Sequence, residues 1–213
     1  MINNAPSEKI MLFIERVSMY QFFTRDDFST QQLNDSVQTC KVGVGQGVIL
    51  QANDDYQNIL TKGLRTCVAF ALINPAEQSA LLIHFFSQSQ IKHDLNKLVS
   101  SFIKQATGSE SELICLIAGG RAFNDSSEGM CDQLIKYAKE DLLEITTSIK
   151  LEINAPIVAD DNETLSLLIN LETGNHTMSL ISDDESNAIS EPSLDGIDFI
   201  DLRNNKSLEP LRK

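Results

Sequence analysis

The sequence has four cysteines (Cys40, Cys67, Cys115, Cys131) and three histidines (His84, His93, His176), and the spacing of one pair suggests chemistry. Cys67 opens an apolar run through Ile73, and His84 lies near the end of a second run from Ala80 to Phe86. Between them stands Asn74-Pro75-Ala76-Glu77, a turn starter with proline preset for the second turn position. If residues 74–77 form a four-residue hairpin loop, Ile73 pairs with Gln78 and Cys67 faces His84 directly. Their Cβ atoms are then roughly 4.5–5.5 Å apart on one side of the sheet. A slip of one residue would send the two side chains to opposite faces.

A thiol beside an imidazole suits nucleophilic attack on an amide or ester carbonyl. The imidazole takes the thiol proton, returns it to the leaving group and then activates the water that hydrolyses the thioester. Backbone N–H groups in a sharp turn near Cys67 would stabilise the oxyanion, and Gly63 would let that loop take an unusual conformation. Arg65, beside the nucleophile, either orients an acidic substrate or is simply exposed. Gly119-Gly120 marks a tight strand-to-loop turn and a candidate pocket lining. Cys40, Cys115 and Cys131 read as structural thiols, and His93 and His176 as solvated. With no CxxC pair and no histidine near another cysteine, no metal site is expected, and the chemistry calls for no cofactor.

The elements that must position this pair form an α/β (α+β) pattern, a layered sandwich of mixed β-sheets flanked by helices. Residues 42–50, 67–73, 80–86 and 113–118 read as strands. Residues 91–106 read as a helix, with Leu95, Leu98, Val99, Phe102 and Ile103 on one stripe, and residues 132–143 as a second. Residues 165–171 and 176–181 read as a closing hairpin around Thr173-Gly174-Asn175. Small residues on the Cys67 side of its hairpin (Ala69, Ala71, Ala80) would let another layer approach closely. Val68, Phe70, Leu72, Leu81, Ile83 and Phe85 form the other, core-facing side. Residues 40–182 thus make up the folded domain. Residues 1–39 are an extension whose apolar stretch, residues 7–23, packs on the core. Residues 183–213 are a mobile acidic tail in which Ile197, Phe199, Ile200 and Leu202 offer a short docking element.

Charge and composition exclude several classes. At 42% hydrophobic and 22% charged residues the chain reads as an ordinary soluble globular protein. The formal net charge is -13 and there is no Lys/Arg cluster, which argues against nucleic acid and anionic membrane as partners. No run is long and apolar enough for membrane insertion. The first residues lack the pattern of a cleaved secretory signal, and the unpaired cysteines suit a reducing, cytoplasmic setting.

The stretch Thr61-Lys62-Gly63-Leu64-Arg65-Thr66-Cys67 resembles the CheD family, the chemoreceptor glutamine deamidases. In that family a threonine, a Gly-Leu step and a small hydroxyl residue precede the catalytic cysteine, and the histidine lies on the following strand, where His84 falls. Lys41-Val42-Gly43-Val44-Gly45 resembles the opening strand, Ile117-Ala118-Gly119-Gly120 with Phe123 a Gly-Gly-Ala loop, and Leu171-Glu172-Thr173-Gly174 the closing hairpin. The resemblance covers about residues 40–182. It implies Cys67 as nucleophile, His84 as base and Thr61 as the residue that orients the histidine, with Gly63, Arg65, Thr66, Gly119 and Gly120 around the substrate and oxyanion. It further implies hydrolysis of a protein glutamine side chain to glutamate, on a fold shared with cytotoxic necrotizing factor-type deamidases. The chain departs from the family at Arg65 (commonly glycine), at Phe85-Phe86-Ser87 (commonly Met-Leu-Pro or similar) and at Asp160-Asp161-Asn162-Glu163 (a Gly-Gly-Asn-Arg-like loop). The front extension and acidic tail are also atypical. The partner is then a protein substrate, a chemoreceptor or another signalling protein. The alternatives are an effector exported without a signal peptide that deamidates a host protein, and a non-catalytic binding or regulatory module.

Overall fold

A computed structural model of the chain describes residues 38–53, 55–105, 112–146, 148–182 and 200–202, together with Phe28 and Leu33. The apolar stretch 7–23 and most of the acidic tail lie outside the described residues. Two sheets and a helical layer are stacked. The smaller sheet contains β1 (Thr39–Val42), β3 (Asn58–Leu64), β8 (Glu163–Asn170) and β9 (His176–Ser182), side by side in that order. The larger sheet has the order β10 (Ile200–Asp201), β2 (Gln46–Gln51), β5 (Ser79–Phe85), β4 (Val68–Asn74), β6 (Leu113–Gly119), β7 (Ile149–Asn154). Both sheets mix parallel and antiparallel pairs. Helices α1 (Gln88–Gln105), α2 (Asp125–Lys139) and the short α3 (Asp141–Ile145) complete the described elements.

Strands β4 and β5 are buried along their whole length because both of their faces are covered. Val68, Phe70, Leu72, Leu81, Ile83 and Phe85 pack against Leu95, Leu98, Val99 and Phe102 of α1 and Met130, Cys131 and Leu134 of α2. On the other face Ala69, Ala71, Ala80 and Ala118 meet Ile59, Leu64, Leu165, Leu167 and Ile169 of the smaller sheet. The alanines are the small residues expected to admit a second layer, and that layer is the four-stranded sheet. The layered α+β sandwich anticipated from the sequence is the architecture observed.

Several local expectations are corrected. The strand read over residues 42–50 is two strands, one in each sheet. The chain turns between them at Gly43–Gln46, where Gly45 has a φ of 71° and Gln46 N–H donates to Gly43 O at 3.1 Å. The stretch before Cys67, read as a loop, is largely strand β3, whose Asn58, Lys62 and Gly63 disguise its pattern. Strand β7 was also missed. The second helix starts at Asp125 rather than 132: Asn124 caps it by accepting the Ser127 N–H at 3.0 Å, ahead of a Ser-Ser-Glu-Gly run with no apolar side chain to mark a helical stripe. It gives way to α3 after Lys139. Near the C-terminus, Ile200 pairs with Gly47 and Leu202 is buried, so this part of the tail docks on the edge of β2.

The hairpin register also differs from the expected one. Asn74 stays in the strand and pairs with Ser79, so His84 lies opposite Ala69 rather than Cys67. The turn is moved one residue along because Asn74 Oδ1 accepts the Glu77 N–H at 3.2 Å and Gln78 takes a left-handed φ of 52°. A slip of two residues preserves the face. Cys67, just before β4, therefore packs on the same inter-sheet side as Ala69, the partner of His84, and is no longer directly opposed to the histidine. Among the described residues no helix is long and apolar enough to cross a membrane.

Candidate active site

Thr61 lies at the end of β3's regular pairing, opposite Val42 of β1 and just before a bulge that runs to Leu64. This places its hydroxyl between the two sheets. Thr61 Oγ1 donates to Val42 O at 2.8 Å and lies 2.8 Å from His84 Nδ1. A threonine hydroxyl has one hydrogen, and the Val42 carbonyl takes it. The contact to His84 is therefore Nδ1–H donating to Thr61 Oγ1, which leaves Nε2 unprotonated. His84 is fully buried, and burial lowers its pKa from 6.5 to about 4, so the ring is neutral at neutral pH. Nε2 has no hydrogen-bond partner among the described residues.

Cys67 is in the short crossing, residues 65–67, that carries the chain from the smaller sheet to the larger. It is half-buried, packs on the inter-sheet core and is the most accessible of the four free cysteines. Burial pushes its thiol up, and the Thr66 hydroxyl bound to it pulls the other way. Cys40, Cys115 and Cys131 are buried, and desolvation raises each to about 12, the inert condition expected of structural thiols. No hydrogen bond joins Cys67 Sγ to His84 Nε2 in this arrangement.

The two glycines expected to line the pocket, Gly119 and Gly120, lie against the Cys67 backbone. Gly120 N–H donates to Cys67 O at 2.8 Å. Gly119 and Gly120 have φ values of 89° and 71°, and both are closely packed: a Cβ on Gly119 would sit 2.8 Å from Leu64 Cβ and 3.0 Å from Cys67 O. Gly63 lies in the β3 bulge with a φ of 80°, and its carbonyl accepts the Arg65 N–H at 2.9 Å. Arg65 is half-buried and Thr66 is exposed. Arg121, next to Gly120, forms an ion pair with Asp161, which lies in the acidic loop that departs from the CheD pattern. His176, read as solvated, instead contacts Glu152 Oε2 through Nε2 at 3.0 Å.

Two contributors were not singled out in the sequence. The Val42 carbonyl, which fixes the histidine tautomer, carries no side-chain signal. Ser127, fully buried, donates from Oγ to Thr66 O at 2.9 Å and was hidden by the late placement of the helix. Among the described residues no group of three His, Cys, Asp or Glu is placed to hold a metal ion. Compared with known proteins, the sequence matches no family model and no curated protein.

Proposed function

We propose that the chain is a cysteine-dependent amide hydrolase that converts a protein glutamine to glutamate, with Cys67 as nucleophile and His84 as base. The observation that carries the reading is the Val42–Thr61–His84 chain of hydrogen bonds. It leaves Nε2 as the free base of an imidazole that burial keeps neutral, on the same sheet face as the half-buried thiol. A core histidine with a purely structural role would be expected to satisfy both nitrogens.

In the reaction, Nε2 takes the Cys67 proton as Sγ attacks the carboxamide carbon and the carbonyl electron pair moves to oxygen. The tetrahedral species collapses and expels ammonia, which leaves with the proton from Nε2. A γ-glutamyl thioester remains on Cys67. Water gives a proton to Nε2 and attacks the thioester carbon, and Sγ departs and regains that proton. The resting pair is neutral, so thiol ionisation accompanies attack. Hydrogen bonds of this kind commonly tighten only when substrate is bound.

The order Thr61, Cys67, His84 and its resemblance to the CheD pattern supply the choice of glutamine and of a signalling protein in the cytoplasm as substrate. The surface supports a protein substrate. Val44, Phe86 and Phe123 are exposed large apolar side chains, each within three residues of Val42, His84 or Gly120. A second reading, a binding module, is favoured by the missing Cys67–His84 hydrogen bond.

Ammonia release from carbobenzoxy-Gln-Gly and from casein tests the choice. The hydrolase reading expects release that is lost in Cys67→Ala and His84→Asn while both variants remain folded. Equal rates in all three proteins would leave only the binding module.

A further inference from the structure

We infer that Ser127 is a positioning residue that aims the backbone N–H of Cys67 at the substrate oxyanion. This rests on the hydrolase reading above and assigns that site an electrophilic half.

Both carbonyls flanking Cys67 are held from inside the protein. Ser127 Oγ donates to Thr66 O at 2.9 Å, and Gly120 N–H donates to Cys67 O at 2.8 Å. Ser127 is fully buried in the first turn of α2, and its own N–H is fixed by Asn124 Oδ1. In a trans peptide the N–H points opposite to the preceding carbonyl. Anchoring Thr66 O on a buried hydroxyl therefore turns the Cys67 N–H away from the core, towards the side on which Thr66 is exposed. That N–H has no hydrogen-bond partner among the described residues. It belongs to the residue whose sulfur attacks, so an oxyanion formed on that sulfur's target carbon is within its reach. Without the Ser127 hydroxyl the Thr66–Cys67 peptide loses the bond that fixes its plane. The chain there is an irregular crossing before β4, and the Gly120 bond to Cys67 O fixes only the following peptide.

The hydroxyl of Ser127 is a neutral donor to a backbone oxygen and does not touch the thiol. Its removal should spare the intrinsic reactivity of Cys67 and weaken only steps that build negative charge on oxygen. Two assays separate these. Alkylation of Cys67 by iodoacetamide forms no oxyanion, whereas hydrolysis of carbobenzoxy-Gln-Gly does. For Ser127→Ala we expect kcat to fall about tenfold or more with KM within twofold, an unchanged alkylation rate, and recovery in Ser127→Thr. If Ser127→Ala does not fold, Ser127→Cys, nearly isosteric and a weaker donor, should show the same split. Cys67-dependent hydrolysis that these variants leave untouched overturns the inference alone. A parallel fall in alkylation and hydrolysis assigns Ser127 to the general fold and also overturns it. Absence of any Cys67-dependent ammonia release removes the hydrolase reading and this inference together.

Discussion

Burial sets the pH at which His84 changes charge, and Thr61 sets which of its nitrogens is free. A ring with an ordinary pKa of 6.5 that is lowered to about 4 in the folded protein binds its proton more tightly when unfolded. Its contribution to stability is complete above pH 6.5 and is lost as pH falls towards 4, to a total of about 3 kcal/mol. Denaturant titrations across this window should show wild type losing that stability relative to His84→Asn. Hydrolysis should keep its base form down to about pH 4 instead of failing near 6.5. Thr61→Val keeps the shape and removes the oxygen, leaving a buried Nδ1–H without an acceptor. Unfolding should cost about 1–3 kcal/mol less than in wild type, and kcat should fall while Thr61→Ser retains most of both. At this scale the sequence was informative. Residue types and the odd sum of their numbers placed Cys67 and His84 on one face, and the resemblance supplied Thr61. The hydrogen bond to Val42 was not legible, because any residue has a carbonyl.

The β4–β5 hairpin shows how a turn decides geometry that apolar alternation leaves open. Alternation distinguishes the two faces but is blind to a slip of two residues, so the exact opposition of Cys67 depended on whether Asn74 belonged to the turn. Its side chain settles the question by capping the turn from inside the strand. The cost falls on Gln78, a non-glycine residue in the left-handed region. Gln78→Gly should therefore raise the thermal midpoint, by up to about 1 kcal/mol in stability, without moving the register. Gly119→Ala should do the opposite. Its left-handed φ and the 2.8 Å approach to Leu64 Cβ predict a loss of at least about 2 kcal/mol, together with displacement of the segment that carries Cys67. Strand β3 was harder to read, because its bulge places Lys62 and Gly63 where an alternating pattern would continue. The start of α2 was hidden for a different reason: its first turn is specified by the Asn124 cap and not by apolar spacing.

Across the whole molecule, the placement of Cys67 and His84 depends on two cores that meet at one sheet. The helix-facing core covers one face of β4 and β5, and the inter-sheet core brings Thr61 from one sheet to His84 of the other. The late segment at Ile200–Leu202 joins this arrangement from far along the chain. Leu202 N–H donates to Gly45 O, and Gly45 N–H donates to His84 O, both within 2.9 Å. Gln90 Nε2 also donates to Leu202 O, at 3.1 Å. Leu202→Ala should cost about 2–4 kcal/mol in chemical unfolding and slow hydrolysis more than an equally destabilising change in α1. The sequence identified Leu202 as part of a docking element but not its site, since two strand residues carry no periodicity. Mass spectrometry of protein glutamines in cells making wild type or folded Cys67→Ala tests whether Cys67 deamidates protein. A discrete set of glutamines should be converted to glutamate with wild type and not with the variant; identical glutamine inventories in the two would contradict a Cys67-dependent deamidase.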